Sequence, residues 1–355
     1  MRKLVMSLCA ALVAAFAMAP PAGAAIDDLN KPWPHGATLD GGGGQAVTFP
    51  SESPFSLSGG EDGAAPPATA AQGTLFLPPA ASRDRPVPAV IMLHGSAGVL
   101  SAREMTYGRQ LAAMGFAALV VDSFAARRNL GTGFIDRLMN ITEAMLIADA
   151  YAGLRFLKAR GDVDTSKVVL AGFSYGGMAT TYALYDQVAQ RFAPDGLRFA
   201  GHVAFYGPCI VRFNNSKTTG APLLMLYGTG DAIVDPDRCA TVQGDLEKGG
   251  SAVERIAYDG AYHQWDGGRG GPRKIGRNLA PCQFRVLESG MVLEARTYLP
   301  MTNPFSRKVM LGLCSDGEGY MIGADDEVRL KSNADFGRFL ARVFSDETKR
   351  AEAPR

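Results

Sequence analysis

From residue 87 onward the chain alternates short, continuous apolar runs with stretches whose apolar residues recur every three or four positions. The runs predict strands near 87–93, 116–121, 167–171, 200–206, 222–227 and 253–258. The stretches between them predict helices near 102–114, 141–160, 177–191 and 236–248. Runs such as Ala89-Val90-Ile91-Met92-Leu93 and Ala117-Ala118-Leu119-Val120-Val121 lack polar alternation, which suits strands covered on both faces. Strand and helix in turn predict a doubly wound α/β fold with a mostly parallel sheet. Two earlier strand candidates, near 45–49 and 73–77, are expected to form an antiparallel edge, with Gly-rich and Ala/Pro-rich loops over 41–44 and 59–72.

The rhythm breaks at Gly267-Gly268-Arg269-Gly270-Gly271, and short β-like runs follow near 284–286, 309–313 and 327–330. Residues 267–333 therefore read as a β-rich insertion. Helical spacing returns with Phe336, Phe339, Leu340 and Val343, which predict a last helix over 335–344. The expected organisation is a signal peptide over 1–24, a core over 25–266, the insertion over 267–333, the final core helix within 334–345 and a charged, frayed tail over 346–355.

The N-terminal segment changes the expected compartment. Arg2 and Lys3 precede an apolar run from Leu4 to Met18, and Ala22-Gly23-Ala24 supplies small residues for cleavage. The run is shorter than the ~20 residues a membrane span needs, which argues against an uncleaved anchor. Leu8 before Cys9 argues against a lipid anchor. A periplasmic or secreted protein follows, with no stable membrane insertion once the signal is removed. In that oxidising setting Cys209, Cys239, Cys282 and Cys314 are expected as disulfides rather than buried thiols. The favoured pairing is Cys209 with Cys239, on neighbouring strand-end loops, and Cys282 with Cys314, bracketing one excursion of the insertion. A formal charge of +1 offers no general attraction to nucleic acid. With 47% hydrophobic and 20% charged residues, the composition suggests neither disorder nor a polytopic membrane protein.

The strongest chemical signal is Val168-Val169-Leu170-Ala171-Gly172-Phe173-Ser174-Tyr175-Gly176-Gly177, an apolar strand running into Gly-x-Ser-x-Gly and then a helix. That setting is a nucleophile elbow, in which only small neighbours let the chain close around the strained serine. A serine hydroxyl needs an imidazole base, itself oriented by a carboxylate. In α/β-hydrolases the chain order is Ser, acid, His, so only His202 and His263 qualify as base. His202 begins a predicted strand, away from the carboxyl-end crevice, whereas His263 follows the last core strand. The acid is read as Asp231, at the end of Leu223-Leu224-Met225-Leu226-Tyr227-Gly228-Thr229-Gly230-Asp231. Asp235 and Asp237 flank Pro236, where an aspartate more often caps a helix. The oxyanion hole is expected from the Tyr175 N–H and a second donor in Leu93-His94-Gly95-Ser96-Ala97-Gly98, assigned to Ser96 with Gly95 as competitor. His94 is read as a brace for that turn.

Weaker features are assigned to the pocket. Phe124 and either Arg127 or Arg128 follow the strand ending at Asp122, where an arginine could hold an acidic substrate group or simply pair with nearby acids. Trp265 and Tyr262 flank the base, as a wall of the acyl site or as loop packing. No cysteine pair has zinc spacing, and neither a metal nor an organic cofactor is expected.

Together, His94-Gly95-Ser96-Ala97-Gly98, the Gly172 to Gly177 elbow, Gly228-Thr229-Gly230-Asp231 and Tyr262-His263-Gln264-Trp265-Asp266 resemble the dienelactone hydrolase family over roughly residues 45–266 and the final helix. The resemblance implies an α/β-hydrolase core, with nucleophile, acid and base carried onto Ser174, Asp231 and His263. The chain departs from the family's namesake enzymes in its serine nucleophile, its signal peptide and the insertion. The expected activity is cleavage of a small-molecule carboxylic ester or lactone through an acyl-enzyme. A peptidase, amidase or acyltransferase using the same triad is the nearest alternative, and a binding protein on an idle hydrolase scaffold is the more distant one.

Overall fold

The parallel strands β3 (Val87–Leu93), β4 (Ala117–Asp122), β5 (Val163–Phe173), β6 (Gly201–Phe205), β8 (Leu223–Gly228) and β9 (Val253–Tyr258) lie where the apolar runs predict. The middle strands are buried along nearly their whole length, because helices cover both faces. β1 (Gln45–Glu52) and β2 (Ala68–Phe76) add the antiparallel edge, giving the order β1-β2-β4-β3-β5-β6-β8-β9. The computed structural model describes residues 26–36, 39, 44–58, 65–268 and 270–345. The expected signal peptide, the loop residues 41–43 and 59–64, Arg269 and the tail therefore lie outside the described residues.

Covering helices are α1 (Glu104–Ala113), α2 (Phe134–Asn140), α3 (Glu143–Arg160), α4 (Tyr175–Tyr182), α5 (Asp186–Phe192) and α6 (Pro236–Lys248). α6 starts as its sequence dictates: Pro236 takes the first turn and the Asp235 carboxylate accepts from the Asp237 and Arg238 N–H groups. The single helix expected over 177–191 is two. Tyr185 between them is extended, its ring stacked on Phe213 at 3.8 Å, and the Asp186 N–H donates to the Lys217 carbonyl. These tertiary ties outweigh a helical pattern that is continuous in sequence.

Beyond residue 267 the excursion holds four short strands, β10 (Arg273–Ile275), β11 (Phe284–Val286), β12 (Val292–Glu294) and β13 (Tyr320–Ile322), and with them α7 (Pro304–Cys314). β11 pairs in parallel with β7 (Val211–Phe213) of the core, and β10 pairs with β13. The β-like reading of 309–313 is corrected: those residues belong to α7, with Asn303 and Ser306 forming a capping box. Its buried face is Arg307, Met310, Leu311 and Cys314, a helical period that a five-residue window cannot display. The run 327–330 likewise lies in the last helix, α8 (Asp326–Phe344), which starts nine residues earlier than expected because Asp325 caps it through the Val328 N–H. Disulfides join Cys209 to Cys239 and Cys282 to Cys314, the pairing expected from position. Among the described residues, no helix is long and apolar enough to cross a membrane.

Candidate active site

Three loops at the carboxyl edge of the sheet bring distant residues together. The first follows β5, where Ser174 has φ 53° and ψ −109°, a conformation that non-glycine residues rarely adopt. Its flanking glycines are obligatory: a Cβ on Gly172 would sit 2.1 Å from the Gly176 carbonyl oxygen, and one on Gly176 would sit 2.3 Å from that of Leu93. The Ser174 N–H donates to the Phe205 carbonyl at 2.8 Å, which fixes the turn against β6. α4 begins at Tyr175, so the positive end of that helix faces the serine.

The second loop follows β8. There Asp231 is buried, with one carboxylate oxygen accepting from the Ile233 N–H at 3.2 Å. The third follows β9 and carries His263, also buried. The imidazole Nδ1–H donates to Asp231 Oδ2 at 2.7 Å, which leaves Nε2 to accept from the Ser174 hydroxyl at 2.8 Å. A hydroxyl, an imidazole and a carboxylate from three loops thus form one continuous hydrogen-bonded chain. Asp235 is absent from it because its side chain caps α6.

The turn after β3 packs on the elbow. A Cβ on Gly95 would lie 3.5 Å from Ser174 Cβ, and Ser96 shares a cavity wall with Ser174 and Tyr175. His94 is buried, donates from Nδ1 to the Gly95 carbonyl at 2.8 Å and packs at a tilt against Phe124; burial pushes its pKa down. His202 is also remote from the serine: it bonds the Thr180 carbonyl, and burial pushes its pKa down to about 4.

Phe124, Arg127 and Trp265, read from sequence as pocket residues, do not line the cavity beside Ser174. Phe124 packs on His94 instead. Trp265 is buried between Tyr206 and Tyr258, and its indole N–H donates to Ser332. Arg127 is also buried: its guanidinium grips Asp149 in a fork at 2.6 and 2.9 Å and donates to Ser53, to the Glu52 carbonyl and to the Ser123 carbonyl. Arg128, the other candidate, is exposed and also outside the cavity wall. A buried cation satisfied in this way joins β1 to α3 and has no valence left for a ligand. Arg127→Met is accordingly expected to cost about 3–5 kcal/mol of stability by stranding Asp149, with KM unchanged. Chemical denaturation alongside steady-state kinetics checks both halves.

Several residues around His263 escaped the sequence reading. Tyr206, just beyond β6, has φ 40° and turns its ring edge-on to His263, with centroids 4.7 Å apart. Its hydroxyl donates to Asp266 at 2.5 Å, Tyr107 donates to the other oxygen of Asp266, and Arg103 donates to the Tyr206 oxygen. Burial pushes the Tyr206 pKa far up, so it remains a neutral donor. Arg103 is paired with Glu104 at 2.6 Å; burial alone would lower its pKa, but the surrounding acids and phenols outweigh this and keep it charged. The one available cue was position, since Tyr206 ends an apolar strand at the same edge as Ser174. The backbone of His263 is itself held by the excursion, its N–H donating to the Met321 carbonyl and its carbonyl accepting from the Gly323 N–H. Tyr320 packs edge-on against the imidazole at 5.2 Å.

Sheet order, elbow and crevice define an α/β-hydrolase fold. The family model of the dienelactone hydrolase family matches residues 72–268, more than half of the chain. The chain belongs to that family and is a hydrolase of its kind. No curated protein matches it. Among solved structures it is similar to a putative dienelactone hydrolase from Klebsiella pneumoniae subsp. pneumoniae MGH 78578, at 20% identity and TM-score 0.44, covering 62% of this chain and 88% of that one. It is also similar to Thermogutta terrifontis esterase 2 phosphorylated by paraoxon, at 18% identity and TM-score 0.46, covering 64% and 87%. The propionate-bound form of that esterase aligns at 16% identity and TM-score 0.45, covering 64% and 86%.

Proposed function

We propose that this protein is an exported carboxylic-ester hydrolase that works through an acyl-enzyme on Ser174. The observation that carries the proposal is the unbroken Ser174–His263–Asp231 hydrogen-bond chain, with the serine in a strained elbow at the head of a helix.

In the first half-reaction His263 Nε2 takes the Ser174 proton as the oxygen attacks the ester carbonyl. The carbonyl oxygen becomes an oxyanion, for which the Tyr175 and Ser96 N–H groups are the donors assigned. Collapse breaks the bond to the alcohol, which leaves with the proton His263 holds, and Ser174 keeps the acyl group. In the second half-reaction water gives its proton to His263 and attacks the acyl carbon; the acid departs and the proton returns to Ser174. Asp231 remains ionised throughout, holding the Nδ1–H tautomer and stabilising the imidazolium.

Export is supported by Arg2 and Lys3 ahead of an apolar run and by two disulfides, which persist in oxidising compartments. The expected result with an ester, the matching anilide and a competing primary alcohol is release of free acid from the ester, with little anilide cleavage and little transesterification. Mass spectrometry of the products tests this. Dominant amide cleavage would make the chain an amidase or peptidase, and dominant alcohol ester an acyltransferase.

A further inference from the structure

Ser174 opens on a cavity of about 380 Å³ between the core and the excursion. The core supplies Met178 and Ile210 to its wall, and the excursion supplies Phe284, Val286, Met301 and Leu311. A buried cation, Arg307, and a partly buried carboxylate, Glu143, also line it, and each is matched by the other. Arg307 on α7 donates to both oxygens of Glu143 at 3.0 Å, to the Leu138 carbonyl at 2.9 Å and to the Tyr175 hydroxyl at 3.2 Å. The same contacts fasten α7 to Tyr175, the residue after Ser174. The remaining cations on the wall, Arg277 and Lys308, are exposed at its outer side. The interior therefore presents apolar surface and no unmatched cation for a substrate carboxylate.

Geometry determines which half of an ester enters. The leaving alcohol must lie at His263 Nε2 to receive its proton, and the oxyanion must point at the Tyr175 and Ser96 amides. Ser174, Tyr175 and Ser96 border the cavity, whereas His263 does not. The direction left for the acyl chain is into the cavity.

We infer that the excursion over 267–325 builds an acyl-binding chamber, so that the preferred substrates are esters of uncharged, apolar acids rather than small acidic lactones. The inference rests on Ser174 being the nucleophile. At about 30 Å³ for each water-sized group, the chamber has room for on the order of ten carbons.

The test uses the full chain and p-nitrophenyl esters from acetyl to dodecanoyl, together with a γ-lactone bearing a carboxylate. Each added methylene that enters the chamber is expected to raise kcat/KM two- to fourfold. The rise over the six methylenes from acetyl to octanoyl should be about 60-fold or more before levelling near the chamber's capacity. Val292→Trp, at a half-buried lining position, is expected to lower the octanoyl-to-acetyl ratio of kcat/KM by about tenfold or more. A flat or falling series in the wild-type protein, an unchanged ratio in the variant, or a preference for the carboxylated lactone overturns the chamber. Those results leave the hydrolase reading intact as long as turnover depends on Ser174. No ester turnover at all, or turnover that survives Ser174→Ala, defeats the hydrolase reading and the chamber with it.

Discussion

Ser174→Ala is expected to lower kcat for small activated esters by about 10⁶-fold, the loss seen when the nucleophile of a serine triad is removed. The hydroxyl is hydrogen-bonded to His263 Nε2 and is held 2.8 Å away by an elbow that both flanking glycines make possible. Alanine removes one oxygen and leaves the backbone, the Tyr175 amide and the helix end in place. The fold should therefore persist, as should a residual acceleration over water of roughly 10³-fold from the oxyanion donors and binding alone. Steady-state p-nitrophenol release, read against an unchanged thermal melting curve, measures the effect. A variant that stays folded and keeps a tenth of the activity would place the nucleophile elsewhere. Covalent capture of a fluorophosphonate by the wild-type protein, and its absence in the variant, gives the same answer without turnover.

The second large effect is expected at Asp231. Asp231→Asn should lower kcat by about 10⁴-fold with KM little changed. Asp231 Oδ2 accepts the Nδ1–H of His263 and so keeps the lone pair of Nε2 turned toward Ser174. An amide in the same place donates to Nδ1 instead, moving the ring proton to Nε2, where it can no longer accept from serine. It also removes the negative charge that stabilises the imidazolium. The neighbouring acids serve as controls. Asp235→Asn and Asp237→Asn should stay within about twofold of wild-type kcat, because Asp235 acts as a helix cap, at a stability cost of no more than about 1 kcal/mol. Equal losses at Asp231 and Asp235 would refute the assignment of the acid.

How legible the molecule was in its sequence varied with the range of the forces involved. Strands β3 to β6 and β8 were readable because a strand buried on both faces needs an unbroken apolar run. The elbow was readable because steric crowding at Gly172 and Gly176 admits no side chain, which leaves a fixed pattern around Ser174. Arg127 was left open between substrate contact and ion pairing because its partner, Asp149, is 22 residues away on another element, and an arginine in a polar loop looks the same whether solvated or buried. Tyr206, Asp266, Tyr107 and Arg103 were missed as a group for the same reason, since they meet only when β6, α1 and the loop after β9 converge. The helix α7 was missed because its buried face alternates with exposed Phe305, Val309 and Leu313, which blurs the period in a short window.

By itself the sequence determined the α/β architecture, the glycine-flanked turn at Ser174, and the order in which Asp231 and His263 follow it, because each of these depends on local sterics, on one element's own burial or on chain order. Only the tertiary structure decided that the carboxyl ends of β5, β8 and β9 carry Ser174, Asp231 and His263 to within hydrogen-bonding distance. It alone decided too that the excursion clamps the backbone of His263 and walls an apolar cavity beside Ser174. Those arrangements depend on contacts between segments tens of residues apart, and such contacts leave no periodic trace along the chain.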